Sequence, residues 1–204
     1  WHYPFENKDV FEKSYPADYI AEGVDQTRGW FFTLHAIANL LSESSEEIKA
    51  VNKKVNNPGV AFKNVISNGL VLDKNGNKMS KSKGNVVNPF ESLSKYGADV
   101  VRWYMIENAP PWDNLKFDFD GIVETQRKFF GTLINTYSFF ALYANIDGFE
   151  KDEMNNVLWD KLTPLDKWLI TKEQSLIEEV TAAYNDYEPT KAARAIQEFV
   201  NDHL

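Results

Sequence analysis

The chain has 204 residues, of which 43% are hydrophobic and 14% aromatic, so it is long enough for one or two domains with a buried core. Its net charge of -8 argues against a protein that coats nucleic acid non-specifically, because such binding depends on dense Lys and Arg. The absence of cysteine excludes disulfides, thiolate zinc sites and cysteine nucleophiles.

The three histidines, His2, His35 and His203, are far apart and form no pattern such as H-E-x-x-H. We therefore expect each at a surface or interface, and no metal bound by this segment. No run approaches the ~20 apolar residues of a membrane span, and no signal segment opens the chain, which favours a cytoplasmic protein without membrane contact. The sequence begins at Trp1 without Met and ends at Leu204 within a helical pattern, so we expect a piece of a longer protein.

The first predicted elements are a strand and a helix. The stretch up to Pro16 lacks periodicity and is predicted to be irregular. Residues 17–21 form a strand candidate that Gly23 breaks, and Asp25 is predicted to cap a helix with apolar residues at 3.6-residue spacing. These apolar residues are Trp30, Phe31, Leu34, Ile37, Ala38 and Leu41. Residues 42–59, rich in Ser, Glu, Lys and Asn, are predicted to be a solvated insertion with one helical turn.

A second strand is predicted over residues 65–72, followed by a tight reversal at Asn75-Gly76. Two strands around a helix predict parallel neighbours in an α/β sheet, whose ligands bind at the carboxyl ends of the strands. Residues 22–26 and 78–83 are both expected at such ends.

The rest of the chain is predicted to be all-α. Pro89 fits the first position of a helix that Pro110 ends. A long helix with apolar residues in register covers residues 122–144, another starts after Thr163, and the last begins near Pro189. Three such helices predict a bundle.

A lysine-rich segment, residues 78–85, reads K-M-S-K-S-K-G-N. Flexible lysines act as point charges on a polyphosphate, and hydroxyls and amides supply neutral donors, so such a loop can stabilise the charge of a leaving pyrophosphate. It is not a Walker A loop, because its glycine follows the lysines. On residue type alone, an exposed basic turn is the alternative interpretation.

The segment that joins the first strand to the first helix reads A-E-G-V-D-Q-T-R-G-W-F. Gly23 lets backbone approach a ligand closely, while Glu22, Asp25 and Gln26 offer acceptors for an ammonium group or ribose hydroxyls. The structural alternatives are that Asp25 is only a helix cap and Trp30 only a core residue.

The sequence K-M-S-K-S is identical to the second signature of class I aminoacyl-tRNA synthetases, and E-G-x-D-Q-x-R-G-W-F resembles the isoleucine-specific branch more than its valine, leucine or methionine relatives. The resemblance implies a partial Rossmann-like nucleotide-binding fold followed by a helical bundle. It also implies a parent enzyme that activates isoleucine with ATP, bound as its Mg complex, to isoleucyl-adenylate and transfers it to tRNA(Ile).

The resemblance assigns roles to individual residues. Lys81 is the main contact to the triphosphate, Lys78 assists, and Trp30 walls the isoleucine pocket. The implied ATP-binding or adenylate-binding residues are Glu22, Gly23, Asp25, Gln26, Asn68, Gly69, Val71, Met79, Ser80 and Ser82.

The resemblance also implies a division of the chain into domains. Residues 1–88 are predicted to be the second half of the catalytic domain, 89–118 a connecting helical segment, and 119–204 the N-terminal part of the anticodon-binding domain. H-Y-P-F-E-N at 2–7 resembles the branch that includes the eukaryotic type. The H-x-G-H type signature and the editing domain are absent from these residues, so we expect this chain alone to be inactive. The resemblance also implies a monomeric parent protein.

Two alternatives stay open. A nucleotidyltransferase of the same superfold explains the segment around Trp30 and the long helical tail poorly. A non-catalytic RNA-binding module would bind tRNA tightly without the lysine loop, and the low positive charge counts against it. Arg102 and Arg194 are expected to be mainly solvated charges.

Overall fold

The computed structural model describes residues 5–150 and 158–204. The chain divides into two compact units, one of residues 1–70 with 111–114 and the other of residues 71–110 with 115–204. We call them the α/β unit and the helical unit. The domain boundaries predicted at 88/89 and 118/119 concern function and stay predictions.

The α/β unit contains the predicted β-α-β arrangement. Strands β1 (Ala17–Gly23) and β2 (Phe62–Asn68) pair in parallel. Between them the chain forms helices α2 (Trp30–Ser44) and α3 (Glu46–Lys54). A parallel pair needs such a crossover, so the carboxyl ends of both strands lie side by side at one edge.

Two predictions in this unit are wrong. The opening stretch is not irregular throughout, because α1 spans Lys8–Ser14. Residues 42–59 are not a solvated insertion, because α3 lies within them and packs against α2. Ile48 and Val51, 5% and 7% exposed, form its buried face. Acidic residues in its first turn and basic ones in its last complement the helix dipole.

The second predicted strand, residues 65–72, is divided in the structure. Strand β2 begins three residues earlier than predicted and ends at Asn68. Strand β3 (Val71–Leu72) belongs to the helical unit, where it pairs in parallel with β4 (Leu115–Lys116). The strand separates because the residues after Asn68 bond to another segment instead of continuing the ladder.

The helical unit is built from six α-helices within its described residues. They are α4 (Pro89–Tyr96), α5 (Ala98–Asn108), α6 (Phe119–Thr125), α7 (Gly131–Asp147), α8 (Pro164–Asn185) and α9 (Pro189–Asp202). The helix predicted from Pro89 to Pro110 is divided by Gly97, whose φ of 84° only glycine adopts readily. A π-helical turn at residues 126–130 joins α6 to α7.

The core of the helical unit lies between α5, β4 and α6. Its buried residues are Tyr96, Val100, Val101, Tyr104, Leu115, Phe117 and Ile122. Helix α9 packs against α8 and α5. Helix α7 has no buried residue, although its sequence is apolar at helical spacing. Within the described residues, no helix combines the length and the apolar character needed to cross a membrane.

Candidate functional site

The structure assigns the predicted site residues to both units. Glu22, Gly23, Asp25, Gln26, Trp30, Asn68 and Gly69 lie in the α/β unit, and Val71, Lys78, Met79, Ser80, Lys81 and Ser82 lie in the helical unit. Each group has its own geometry.

The first group gathers at the carboxyl edge of the two-stranded sheet. In the strand register, Glu22 is opposite Ser67 and Gly23 is opposite Asn68. The Glu22 side chain is exposed. The Ser67 hydroxyl beside it is buried and has no hydrogen-bond partner among the described residues. Sequence reasoning missed Ser67, because only the register of the pair reveals its position.

The segment after β1 is held together by Gln26. Its Nε2 donates to Oδ2 of Asp25 at 2.8 Å, and its Oε1 accepts from the amide of Trp30, the first residue of α2, at 3.2 Å. A Cβ at Gly29 would lie 2.4 Å from the Gln26 Oε1, and one at Gly23 would lie 2.7 Å from Oδ1 of Asp25. The prediction that Asp25 caps α2 is therefore wrong. Gln26 accepts from the helix amide and orients the Asp25 carboxylate.

Trp30 begins α2 and is 44% exposed. Its ring centroid lies 5.9 Å from that of Phe31, which is buried. The alternative that Trp30 is only a core residue does not describe this position. A large flat side chain is partly exposed at the first residue of α2, while its role as a pocket wall stays a prediction.

Residues 111–114 fix the chain directly after β2. The amide of Gly69 donates to O of Pro111 at 2.9 Å, and the amide of Leu70 donates to Oδ1 of Asn114 at 2.8 Å. A Cβ on Gly69 would lie 2.2 Å from the backbone oxygen of Asp113, so this approach requires glycine. Asn114 was missed from the sequence, because it lies 44 residues from its partner.

The second group belongs to the lysine loop, residues 78–85, which follows a tight turn. Asp73 begins that turn, and its Oδ1 accepts from the amides of Asn75 at 3.0 Å and Asn77 at 2.8 Å. Gly76 adopts a φ of 84°, which confirms the reversal predicted at Asn75-Gly76. The Asn85 side-chain amide, more than the turn amides, holds the pKa of Asp73 below its ordinary value.

The three lysines of the loop face solvent. Lys78, Lys81 and Lys83 are exposed, and none of them forms an ion pair with another residue in the described part of the chain. Oγ of Ser80 accepts from the amide of Lys83 at 3.3 Å and shares a 3.1 Å hydrogen bond with Oγ of Ser82. Free ammonium groups beside hydroxyl donors suit a polyphosphate.

The loop is attached to the body of its unit on both sides. Met79 and Val87 pack against the core cluster. The amide of Ser80 donates to Oδ1 of Asn85 at 2.9 Å, and Gly84 turns the chain with a φ of 64°. Val71, in β3, is 41% exposed. Asn85 was missed in the sequence as a candidate residue.

The residues that the structure describes hold no group of three or more His, Cys, Asp or Glu arranged to bind a metal ion. His35 is exposed, His203 packs on the rings of Trp168 and Phe199, and His2 lies outside the described residues.

The parallel sheet edge and the lysine loop both lie within residues 1–118, the part of the chain that a family model matches. The family model described as tRNA synthetases class I (I, L, M and V) matches residues 1–118. The chain belongs to this family, which favours a synthetase over the two alternatives.

Two curated relatives that match over the whole chain are both isoleucine–tRNA ligases. Isoleucine–tRNA ligase of Cytophaga hutchinsonii is 64% identical over 204 residues, which cover 100% of this chain and 17% of the relative. Isoleucine–tRNA ligase of Bacteroides thetaiotaomicron is 58% identical over 205 residues, covering 100% of this chain and 16% of the relative. The chain thus spans about one sixth of the length of these curated relatives.

Solved structures confirm the predicted fold class. The LeuRS of Agrobacterium radiobacter K84, solved with tRNA and LeuAMS, matches with a TM-score of 0.71 at 21% identity, covering 95% of this chain and 23% of that one. Methionyl-tRNA synthetase of Mycobacterium tuberculosis, solved with methionyl-adenylate, matches with a TM-score of 0.68 at 20% identity, covering 98% and 36%. The chain shares their combination of a Rossmann-like α/β portion and helices.

Proposed function

We propose that the chain is part of an isoleucine–tRNA ligase and carries residues that bind ATP and isoleucyl-adenylate. The observation that carries this proposal is the lysine loop, whose cations are exposed and without ion pairs in the described part of the chain. The choice of isoleucine is supported by the 64% identity over the whole chain.

In the proposed reaction, the carboxylate of isoleucine attacks the α-phosphorus of ATP, the bond to the β-phosphate oxygen breaks, and pyrophosphate leaves. Lys81 is the main contact to the triphosphate and Lys78 assists. The hydroxyls of Ser80 and Ser82 and the Met79 backbone add neutral donors. Because negative charge grows on the leaving pyrophosphate, these groups act most strongly in the transition state. No side chain serves as a nucleophile.

The sheet edge is proposed to hold the adenylate. Glu22, Asp25 and Gln26 accept from the ammonium group and the ribose hydroxyls, and Gly23 allows close approach of the ligand to the backbone. Gln26 already accepts from the Trp30 amide, so its second contribution is to orient Asp25. Asn68, Gly69 and Val71 are proposed to approach the adenine.

Trp30 is proposed to form a wall of the isoleucine pocket. A flat ring suits a branched aliphatic side chain, and its exposure leaves it accessible. One methylene separates isoleucine from valine, and a pocket distinguishes such a difference by only about 1 to 3 kcal/mol. Hydrolytic editing of misactivated valine would supply the remaining discrimination.

The proposal includes the partners of the complete protein. ATP enters as its Mg complex, tRNA(Ile) accepts the isoleucyl group, and residues 119–204 begin the anticodon-binding domain. We propose a monomer that acts in the cytoplasm. The structural neighbour solved with tRNA supports a tRNA partner for this fold.

Isoleucine-dependent exchange of pyrophosphate into ATP tests the proposal in the full-length protein that contains this chain. We expect isoleucine to support faster exchange than valine or leucine. Lys81→Ala should lower the rate about 100-fold, as removal of a transition-state donor does. Lys74→Ala, at an exposed lysine just before the loop, should change it less than about twofold.

No isoleucine-dependent exchange, or an equal loss in both lysine variants, would contradict the proposal. A nucleotidyltransferase would instead turn over a substrate that is not an amino acid. An RNA-binding module would bind tRNA equally well after Lys81→Ala.

A further inference from the structure

Asn85 joins both ends of the lysine loop through one side-chain amide. Its Oδ1 accepts from the amide of Ser80 at 2.9 Å. Its Nδ2 donates to Oδ2 of Asp73 at 2.9 Å and lies 3.4 Å from the backbone oxygen of Lys78. Asn85 thus connects Lys78 and Ser80, which lie on either side of Met79, to Asp73 in the turn that precedes the loop.

Asp73 provides the fixed point for this bridge. Its Oδ1 accepts from the two turn amides, and its Oδ2 accepts from Asn85 at 2.9 Å and, more weakly, from Nδ2 of Asn77 at 3.4 Å. Four neutral N–H donors therefore surround one carboxylate. It forms no ion pair with a lysine within the described part of the chain.

We propose that Asn85 and Asp73 are positioning residues for ATP, which hold residues 78–85 in one internal conformation and so set the spacing of Lys78 and Lys81 for the triphosphate. This inference rests on the proposed function. A loop whose internal conformation is fixed before ATP binds loses less conformational freedom on binding, so more of the lysine–phosphate interaction appears as transition-state stabilisation.

Because the bridge between Asn85 and Asp73 uses neutral amide groups, it leaves the charges of the loop lysines available. A carboxylate paired with Lys78 or Lys81 would compete with phosphate for the ammonium group. Because amides satisfy Asp73, the loop gains a rigid anchor without losing a cation to it. Asn85→Asp would keep an acceptor for Ser80, remove the donor to Asp73 and add a negative charge beside it.

The kinetic test uses pyrophosphate exchange by the full-length protein. Asn85→Ala and Asn85→Asp should each lower kcat/KM for ATP about tenfold, the effect of one or two lost hydrogen bonds. The KM for isoleucine should stay within about twofold, because the variants act on the triphosphate side. Asn75→Ala is the matched control, since only the Asn75 backbone amide bonds to Asp73.

A double-mutant cycle separates positioning from general structural damage. If Asn85 acts through Lys81, the loss in Asn85→Ala with Lys81→Ala will be smaller than the product of the single losses. Losses that multiply, or an Asn85→Ala rate within twofold of wild type, would overturn the inference.

Trypsin, which cuts after lysine, gives a readout without catalysis. In the full-length protein, Asn85→Ala should speed cleavage within residues 78–83 about tenfold relative to Asn75→Ala, with an unchanged melting temperature. Equal cleavage rates would overturn this inference but leave the proposed function standing. A wild-type protein without isoleucine-dependent exchange would instead contradict the proposed function.

Discussion

Glu107, near the end of α5, is a partly buried carboxylate surrounded mainly by neutral groups. Thr125 and Gln197 donate to its two oxygens, each at 3.4 Å, and Gln197 in turn accepts from the indole of Trp103 at 3.0 Å. Burial raises the pKa of Glu107 above its ordinary value of 4.5, and the charge of Arg194 opposes only part of this effect. The folded protein therefore binds this proton more tightly than the unfolded chain does.

The contribution of Glu107 to stability follows from this rise in its pKa. The free energy of unfolding should fall as pH rises from 4.5 through the raised pKa, because the folded state must release a proton that the unfolded state has already lost. One group contributes at most about 1.4 kcal/mol per pH unit. Glu107→Gln should flatten this part of the profile and raise stability at neutral pH relative to wild type.

Urea unfolding from pH 4.5 to pH 7 measures the effect. Glu198→Gln, at an exposed residue of α9, is the control for the change in net charge. A Glu107→Gln protein that is less stable than wild type by the same amount at both ends would show that the carboxylate stabilises the fold instead.

Residue positions were predictable where a short motif carries them. The segment after β1 contains acceptors at the predicted edge, yet the sequence misassigned the helix cap to Asp25. Gln26 fills that role because the 3-10 turn brings its Oε1 to the first amide of α2. Such a contact depends on the turn geometry, which the residue types do not specify.

At the scale of elements, the end of α5 is completed by a side chain of α9. Oγ1 of Thr190, 3% exposed, donates to the backbone oxygens of Ile106 at 2.7 Å and Ala109 at 3.0 Å. The last carbonyls of a helix have no partner within it, so this buried hydroxyl supplies a donor to acceptors at the end of α5. The contact joins two helices that lie 84 residues apart in sequence.

Thr190→Val removes this donor while keeping the shape of the side chain. We expect it to lower the free energy of unfolding by about 1 to 3 kcal/mol, the cost of replacing a buried donor and leaving its acceptors unsatisfied. Thr171→Val is the matched control, because its exposed hydroxyl donates to the backbone oxygen of Lys167 within α8 and to no other helix in the described part of the chain. Equal effects of the two substitutions in urea unfolding would contradict the predicted contribution of Thr190.

Arg194 extends the same contact. Its Nε and Nη2 donate to the backbone oxygens of Glu107 and Asn108 at 2.9 and 3.0 Å. The sequence predicted a solvated charge, and the side chain is exposed, but it also binds the end of α5. A spacing of 87 residues between donor and acceptor left no local pattern from which to predict this role.

Element prediction succeeded where the signals are local. The start of α8 follows from the Thr163 and Asp166 capping box, and α4 and α9 each start at a proline. The two-residue strands β3 and β4 were not predictable, because their pairing joins distant segments. Helix α3 was missed because its polar composition outweighed the buried face of Ile48 and Val51.

At the scale of the whole molecule, the family follows from the two signatures, and its general features follow from the α/β and helical patterns. The sequence predicted an α/β part followed by a helical part, but not which residues each unit contains, because residues 111–114 return to the α/β unit from within the helical segment. Since the chain spans 17% of a related ligase, we continue to expect that these 204 residues alone are inactive.

We propose that this chain carries residues of the isoleucyl-adenylate site of a class I synthetase. The most direct measurement is a calorimetric titration of the full-length protein with non-hydrolysable isoleucyl-, valyl- and leucyl-adenylate analogues. We predict that the isoleucyl analogue binds most tightly, about 10 to 200 times more tightly than the valyl one, and that Glu22→Ala and Trp30→Ala each weaken it. Equal binding of all three analogues, or undiminished binding by both variants, would contradict the claim.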